Sequence, residues 1–91
     1  MKERKIALIT GASSGIGWST ALALAEKDYD LILCGRRSER LQQLSDTVKV
    51  ETYQLIFDVR DKQAVFQAIE GLPDRWKSIN VLLNNAGNAH G

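Results

Sequence analysis

Thr10-Gly11-Ala12-Ser13-Ser14-Gly15-Ile16-Gly17 stands between an apolar run, Ile6 to Ile9, and an Ala/Leu-rich run, Thr20 to Ala25. An apolar strand that ends in glycines and passes straight into a helix leaves few folds open. Gly11 permits the sharp turn, and Gly17 lets the helix lie close to the strand. Backbone N–H groups at a helix start have no intrahelical acceptor, and the helix dipole adds partial positive charge there. Two readings follow, a phosphate cradle or an ordinary tight turn. In the first, Gly15 admits a pyrophosphate to the backbone, and Ser13 and Ser14 add hydroxyl donors.

The hydrophobic period then alternates along the chain. Lys5–Thr10 reads as a strand and Gly15–Lys27 as a helix with Ile16, Thr20, Ala23 and Leu24 on one stripe. Asp30–Gly35 is a second strand. Ser38 is placed to cap a helix through about Thr47, with Leu41, Leu44 and Val48 at helical spacing. Glu51–Phe57 is a third strand. Asp61 is placed to cap a third helix that buries Val65, Ala68, Ile69 and Leu72 and is stopped by Gly71-Leu72-Pro73. Val81-Leu82-Leu83 is a fourth strand. The expected class is α/β, a β-α-β-α-β-α-β chain. Near-continuous apolar strands alternating with helices indicate a parallel sheet covered on both faces. Right-handed crossovers in a doubly wound plan give the strand order 3-2-1-4.

The 91 residues suit one small domain, residues 1–91, with no linker or repeat. A net charge of +1 argues against nucleic acid or an anionic membrane as partner. No apolar run is long enough to span a bilayer, and the amino terminus lacks a signal-peptide core. The single cysteine, Cys34, excludes an internal disulfide and reads as a small hydrophobe in a buried strand. A cytoplasmic location is expected. His90 is the only histidine, so no metal site is expected.

Three further places carry chemistry. The second strand ends in Gly35-Arg36-Arg37, about 20 residues after the glycines, where a dinucleotide fold reads the adenosine ribose. An acidic residue there would accept from a 2′-hydroxyl. Two guanidinium forks suit a 2′-phosphate instead; the other reading is two solvated arginines opening a helix. Asp58-Val59 closes the third strand, where a carboxylate either accepts from an adenine amino group or competes with Asp61 as helix cap. Asn84-Asn85-Ala86-Gly87 closes the fourth. Its amides suit bridging of strand ends and its small residues leave room for a ligand; the other reading is a plain turn. Trp18 and Trp76 read as packing residues. No Gly-Lys-Ser/Thr follows the glycines, which disfavours a Walker-type site.

In this order and spacing, Thr10-Gly11-(three residues)-Gly15-Ile16-Gly17, Gly35-Arg36-Arg37, Asp58-Val59 and Asn84-Asn85-Ala86-Gly87 resemble the short-chain dehydrogenase/reductase family over essentially the whole chain. Gly35-Arg36-Arg37-Ser38-Glu39-Arg40-Leu41, Asp58-Val59-Arg60-Asp61 and Leu72-Pro73-(two residues)-Trp76 are similar to its NADP-dependent branch that oxidises 3-hydroxy acids, including serine and allo-threonine. The resemblance implies half of a doubly wound Rossmann fold with NADP(H) as cofactor. It assigns Gly11, Ala12, Ser13, Ser14, Gly15 and Ile16 to the pyrophosphate, with Gly17 packing the helix. Arg36 and Arg37 go to the 2′-phosphate, Asp58 and Val59 to adenine, and Asn85, beside Ala86 and Gly87, to the adenosine ribose through its backbone.

Two departures stand out. The glycine that usually ends the first helix is Asp28. The family's catalytic serine and Tyr-x-x-x-Lys pair lie downstream of Asn-Asn-Ala-Gly, and no Tyr-x-x-x-Lys occurs in these residues: Leu33 follows Tyr29 and Phe57 follows Tyr53 at that spacing. The chain therefore reads as the cofactor-binding amino-terminal half of an oxidoreductase, itself inactive. Two alternatives stay open, a non-catalytic dinucleotide sensor and a self-associating structural fragment that binds nothing. Self-association is expected through the fourth-strand edge or through a sheet face carrying only the third helix, with apolar residues among Ile6, Leu8, Val81 and Leu83 turned to water.

Overall fold

A computed structural model describes residues 4–58 and 60–85. The elements in chain order are β1 (Lys5–Thr10), α1 (Gly15–Glu26), β2 (Tyr29–Gly35), α2 (Ser38–Thr47), β3 (Thr52–Ile56), α3 (Lys62–Glu70), a 3₁₀ turn (Asp74–Trp76) and β4 (Val81–Asn84). All strand pairs are parallel, and the sheet order is β3-β2-β1-β4. The first two crossovers step one way along the sheet and the third steps back past β1. Right-handed connections therefore put α1 and α2 on one face and α3 on the other.

Strand alternation builds two cores. Ala7, Ile9, Leu31 and Leu33 face Ala21, Leu41 and Leu44 of the first two helices. Ile6, Leu8, Ile32 and Cys34 face Leu72 and Trp76. The second core is closed mainly by the segment after α3, because α3 itself buries no residue fully and leaves Phe66 65% exposed.

Several expectations need correction here. Ile6 and Leu8 are not turned to water; they are 4% and 1% exposed under Leu72 and Trp76. Val81 and Leu83 pair in register with Ala7 and Ile9, so they share the α1–α2 face and pack half-buried on its core. The apolar residue that β4 exposes is Leu82, by parity on the other face. On α1 the buried residues are Gly17 and Ala21, whereas Ile16 is 72% exposed and Ala23 is exposed. The helix turns its smallest residues to the sheet because they alone permit the close approach. A β-carbon at Gly17 would lie 2.1 Å from the Gly11 carbonyl oxygen. Ser38 is the first residue of α2 and not its cap; Arg37 holds the cap position without a side-chain bond. Asp61 does cap α3, accepting from the Ala64 N–H at 3.1 Å.

The substitution at Asp28 has a visible consequence. Asp28 adopts φ 67° just beyond α1 and donates its N–H to the Ala25 carbonyl. The left-handed closure is thus kept with a side chain that tolerates it less well than glycine, at a cost of order 1 kcal/mol.

Candidate functional site

The four motifs meet at one edge. In a parallel sheet every strand points the same way, so the glycine loop after β1, Gly35-Arg36-Arg37 after β2, Asp58 after β3 and Asn84-Asn85 at the end of β4 all lie at the carboxyl edge. Ligands bind there in open α/β sheets, beside the point where strand order reverses. Here that point is β1, with β2 on one side and β4 on the other.

The glycine loop is built by its own bonds. Gly11 takes φ 64°, which lets its carbonyl accept from the Ser14 N–H at 3.0 Å. The Ala12 N–H donates to the Cys34 carbonyl at 3.0 Å and ties the loop to β2. Ser14 is the N-cap of α1. Its hydroxyl donates to the Gly11 carbonyl at 2.8 Å and accepts from the Gly17 N–H at 3.3 Å. The Ser14 hydroxyl hydrogen is therefore committed inside the loop, unlike the free donor expected from sequence. A β-carbon added at Gly15 would meet nothing within 4 Å. Glycine is not needed there for internal packing, and the open space above it fits a group lying against the backbone at the helix start.

Arg36 and Arg37 are exposed at the end of β2. Arg36 Nη1 stands 4.0 Å from Asp58 Oδ2. Arg37 has no carboxylate within ion-pair distance among the described residues. Asp58 is held chiefly by Arg60, whose Nη2 is 2.8 Å away and whose backbone N–H donates at 2.9 Å. Those two bonds from Arg60 hold the carboxyl down at about 2, with Arg36 adding a smaller pull. Asp58 does not cap α3, so of its two readings the cap falls away. Val59, Ala86 and Gly87 lie outside the described residues.

Thr10 Oγ1 donates to Asn84 Oδ1 at 2.7 Å, so Asn84 bridges the ends of β1 and β4. The Asn85 Nδ2 group is buried without a hydrogen-bond partner among the described residues. Leaving a buried donor unpaired costs about 1–3 kcal/mol. An orphan donor at the edge where the loops converge fits a site completed by another group.

Cys34 and Trp76 belong to the core. Burial pushes the Cys34 thiol up to about 12, so it stays protonated. Trp76 is 6% exposed and packs on Tyr53 with ring centroids 5.7 Å apart. No group of three or more metal-ligating side chains occurs among the described residues. A cavity of about 530 Å³ does open at the opposite, amino-terminal edge, between Arg4, Lys5, Asp30, Asp74 and Arg75. Its floor is a set of charges satisfied by one another: Asp30 accepts from Arg4 and Arg75 at 2.7 Å each. Sequence reasoning missed that cluster. It also missed Arg40, which reaches back from α2 to the glycine loop, because both contacts span distant parts of the chain.

The sequence model of the short chain dehydrogenase family matches residues 5–91. The chain belongs to this family. It is 48% identical over 86 residues to a probable NADP-dependent dehydrogenase of Dichelobacter nodosus, covering 94% of this chain and 81% of that one. It is 43% identical over 84 residues to the serine 3-dehydrogenase of Rhizobium radiobacter, covering 92% of this chain and 34% of that one. Among solved structures it is similar to serine dehydrogenase from Escherichia coli, with a TM-score of 0.79 at 35% identity, covering 85% of this chain and 36% of that one. The fold similarity extends to L-sorbose reductase from Gluconobacter frateurii complexed with NADPH and L-sorbose, with a TM-score of 0.81 at 30% identity, over 94% of this chain and 34% of that one. The chain thus spans most of one relative and about a third of the others. Among the described residues no helix is long and apolar enough to cross a membrane.

Proposed function

We propose that this short-chain dehydrogenase chain is the NADP(H)-binding part of an oxidoreductase acting on a hydroxyl/carbonyl pair, with a 3-hydroxy acid such as serine as the substrate class. The observation that carries the reading is the pairing of an open backbone cradle at Gly15 with the exposed cations of Arg36 and Arg37 on the next strand end. Relatives named NADP-dependent dehydrogenase and serine 3-dehydrogenase support it. In this reading Gly11, Ala12, Ser13, Ser14, Gly15 and Ile16 hold the pyrophosphate, and Gly17 keeps α1 close. Arg36 and Arg37 hold the 2′-phosphate. Asp58 and Val59 border adenine, and Asn85, Ala86 and Gly87 border the adenosine ribose. Bound NADP(H) supplies or accepts the hydride. The family's acid/base pair, Tyr-x-x-x-Lys, does not occur in these 91 residues, so residues 1–91 are the dinucleotide-binding unit and not the catalytic one. A reducing, cytoplasmic compartment suits the lone buried thiol of Cys34.

Titration with NADPH and NADH tests cofactor choice. A charge-assisted contact to phosphate contributes roughly 1.5–3 kcal/mol, so about tenfold or stronger binding of NADPH over NADH is expected. Arg37→Asp should abolish or reverse that preference with the melting curve unchanged. Equal affinity of the unaltered chain for both nucleotides would overturn the 2′-phosphate assignment.

Turnover is a separate expectation. Losing general acid/base catalysis costs about 10²–10⁴-fold, so the purified chain should not oxidise NADPH steadily with any carbonyl substrate. Sustained oxidation, in material free of host reductases, is the contrary result.

Self-association is a further part of the reading. It rests on Leu82, 60% exposed on β4, a strand that among the described residues pairs with β1 alone, and on Phe66, 65% exposed on α3. Sedimentation at micromolar concentration should show a dimer or larger species, and Leu82→Lys should return it to monomer. A monodisperse monomer for the unaltered chain would remove this part.

A further inference from the structure

We propose that Arg40 is a positioning residue for the glycine loop: from the first turn of α2 it fixes the shape in which the loop meets the cofactor. The proposal rests on the NADP(H) reading above and adds a residue that the four sequence motifs do not assign. Arg40 Nη2 donates to the Ser13 carbonyl at 3.4 Å. Its guanidinium carbon lies 4.8 Å from the centre of the Trp18 ring, well within the range of a cation–π contact. Arg40 and Trp18 are both half-buried. Arg40 has no carboxylate within ion-pair distance among the described residues, so its orientation is set by the ring and the carbonyl.

The consequence follows from where those two partners sit. Trp18 is the fourth residue of α1, and Ser13 immediately precedes its N-cap. One guanidinium thus grips the loop from both sides of the helix start. Holding the Ser13 carbonyl on α2 turns that oxygen, a poor neighbour for an anion, into an acceptor already in use. It also joins the pyrophosphate loop to the helix that starts directly after Arg36 and Arg37. This side-chain link between the two halves of the nucleotide site adds to the backbone bond from Ala12 to Cys34.

A residue acting in this way affects the shared part of NADPH and NADH. A direct ligand of the 2′-phosphate affects only NADPH. The test combines hydrogen exchange on the free chain with titration by both nucleotides, comparing Arg40→Leu, Arg40→Gln and Arg40→Lys. The amides of Ser14, Gly17 and Trp18 report the loop, because they donate to Gly11, Ser14 Oγ and Ser14 within it. In Arg40→Leu these amides should exchange about fivefold faster, the effect of losing one ordinary hydrogen bond, while β1 and β2 amides keep their rates. The Kd for NADPH and for NADH should rise together by about tenfold, with their ratio unchanged. Arg40→Gln keeps a stem and a donor without the charge, and should behave like Arg40→Leu; it also serves if the leucine variant folds poorly. Arg40→Lys keeps the cation over the ring and should restore most of the protection and affinity. Unchanged exchange in both neutral variants overturns the proposal, as does a loss confined to NADPH. If the neutral variants loosen the loop but the unaltered chain binds neither nucleotide, the loop-setting role stands and the NADP(H) reading is the one that falls.

Discussion

Replacing Arg4 and Arg75 together by methionine is expected to lower folding stability clearly, because it strands the buried Asp30 carboxylate without its two ion-pair partners. Asp30 is 1% exposed, and its carboxylate is satisfied from two directions. Oδ1 accepts from Arg4 Nε at 3.2 Å and Nη2 at 2.7 Å, and from the Glu51 N–H at 3.3 Å; Oδ2 accepts from Arg75 Nη2 at 2.7 Å. Arg75 is itself steadied by Glu51 at 3.0 Å and by the Trp76 ring at 4.3 Å. The asymmetry decides which variant does the damage. Both arginines are 44% exposed and can turn to water once released, but the carboxylate cannot. Asp30→Ala should therefore cost clearly less than the double arginine variant.

The same cluster predicts a pH signature. Burial pushes the Asp30 carboxyl up, but the hydrogen bonds from Arg4 and Arg75 outweigh it and hold the group below its ordinary value. A lowered folded-state value means that this contribution is complete above the unfolded pKa, about 3.9, and is lost as pH falls through the folded one. Asp58, held down at about 2 by Arg60, adds a loss of the same sign between about 4 and 2. In the double arginine variant the two contacts that chiefly lower Asp30 are gone, burial is opposed mainly by the Glu51 N–H, and the carboxyl moves upward from its place in the unaltered chain. The variant's deficit relative to the unaltered chain should then shrink as the solution is acidified. Urea unfolding at pH 7 and near pH 4 measures both effects. A deficit independent of pH, or a larger one in Asp30→Ala, would contradict this account.

Gly17→Ala and Gly15→Ala should separate packing from ligand space. The β-carbon added at Gly17 would sit 2.1 Å from the Gly11 carbonyl oxygen and 2.9 Å from Ala12 Cα. Those are backbone atoms and cannot rotate away, so α1 must move off the sheet. Overpacking costs typically about 1–3 kcal/mol, and this site belongs at the upper end. At about 4–8 °C per kcal/mol for a chain of this size, the melting temperature should fall by well over 10 °C. Gly15→Ala meets no atom within 4 Å and places a better helix former at the first residue of α1, a gain of less than the roughly 1 kcal/mol of a helix interior. It should melt no lower than the unaltered chain and yet bind NADPH at least about tenfold more weakly, since the methyl group occupies the cradle and separates donor from phosphate. Retained affinity in Gly15→Ala would show that the open space is not used.

Much of the fold was legible because its signals are local. Apolar runs alternating with helical spacing carry the element order, and handedness rules convert that order into β3-β2-β1-β4. The loop glycines, Gly35-Arg36-Arg37, Asp58 and Asn84-Asn85 fall at strand ends, and a parallel sheet gathers all strand ends of one kind at one edge. Sequence alone therefore determined which motifs meet. It did not determine which face of α1 turns inward. Ile16 is the more hydrophobic choice but stands exposed, and Leu24 packs only half-buried on the core; Gly17 and Ala21 take the innermost positions because the sheet can be approached closely only over small residues. Nor did it reveal that Val81 and Leu83 share a face with α1, since one residue of register exchanges the two faces of a strand. The Arg4–Asp30–Arg75 cluster and the reach of Arg40 to Ser13 join residues 26, 45 and 27 positions apart. No local pattern announces such pairs, because their energy exists only after the backbone has brought the charges together, and that is what the tertiary structure decided.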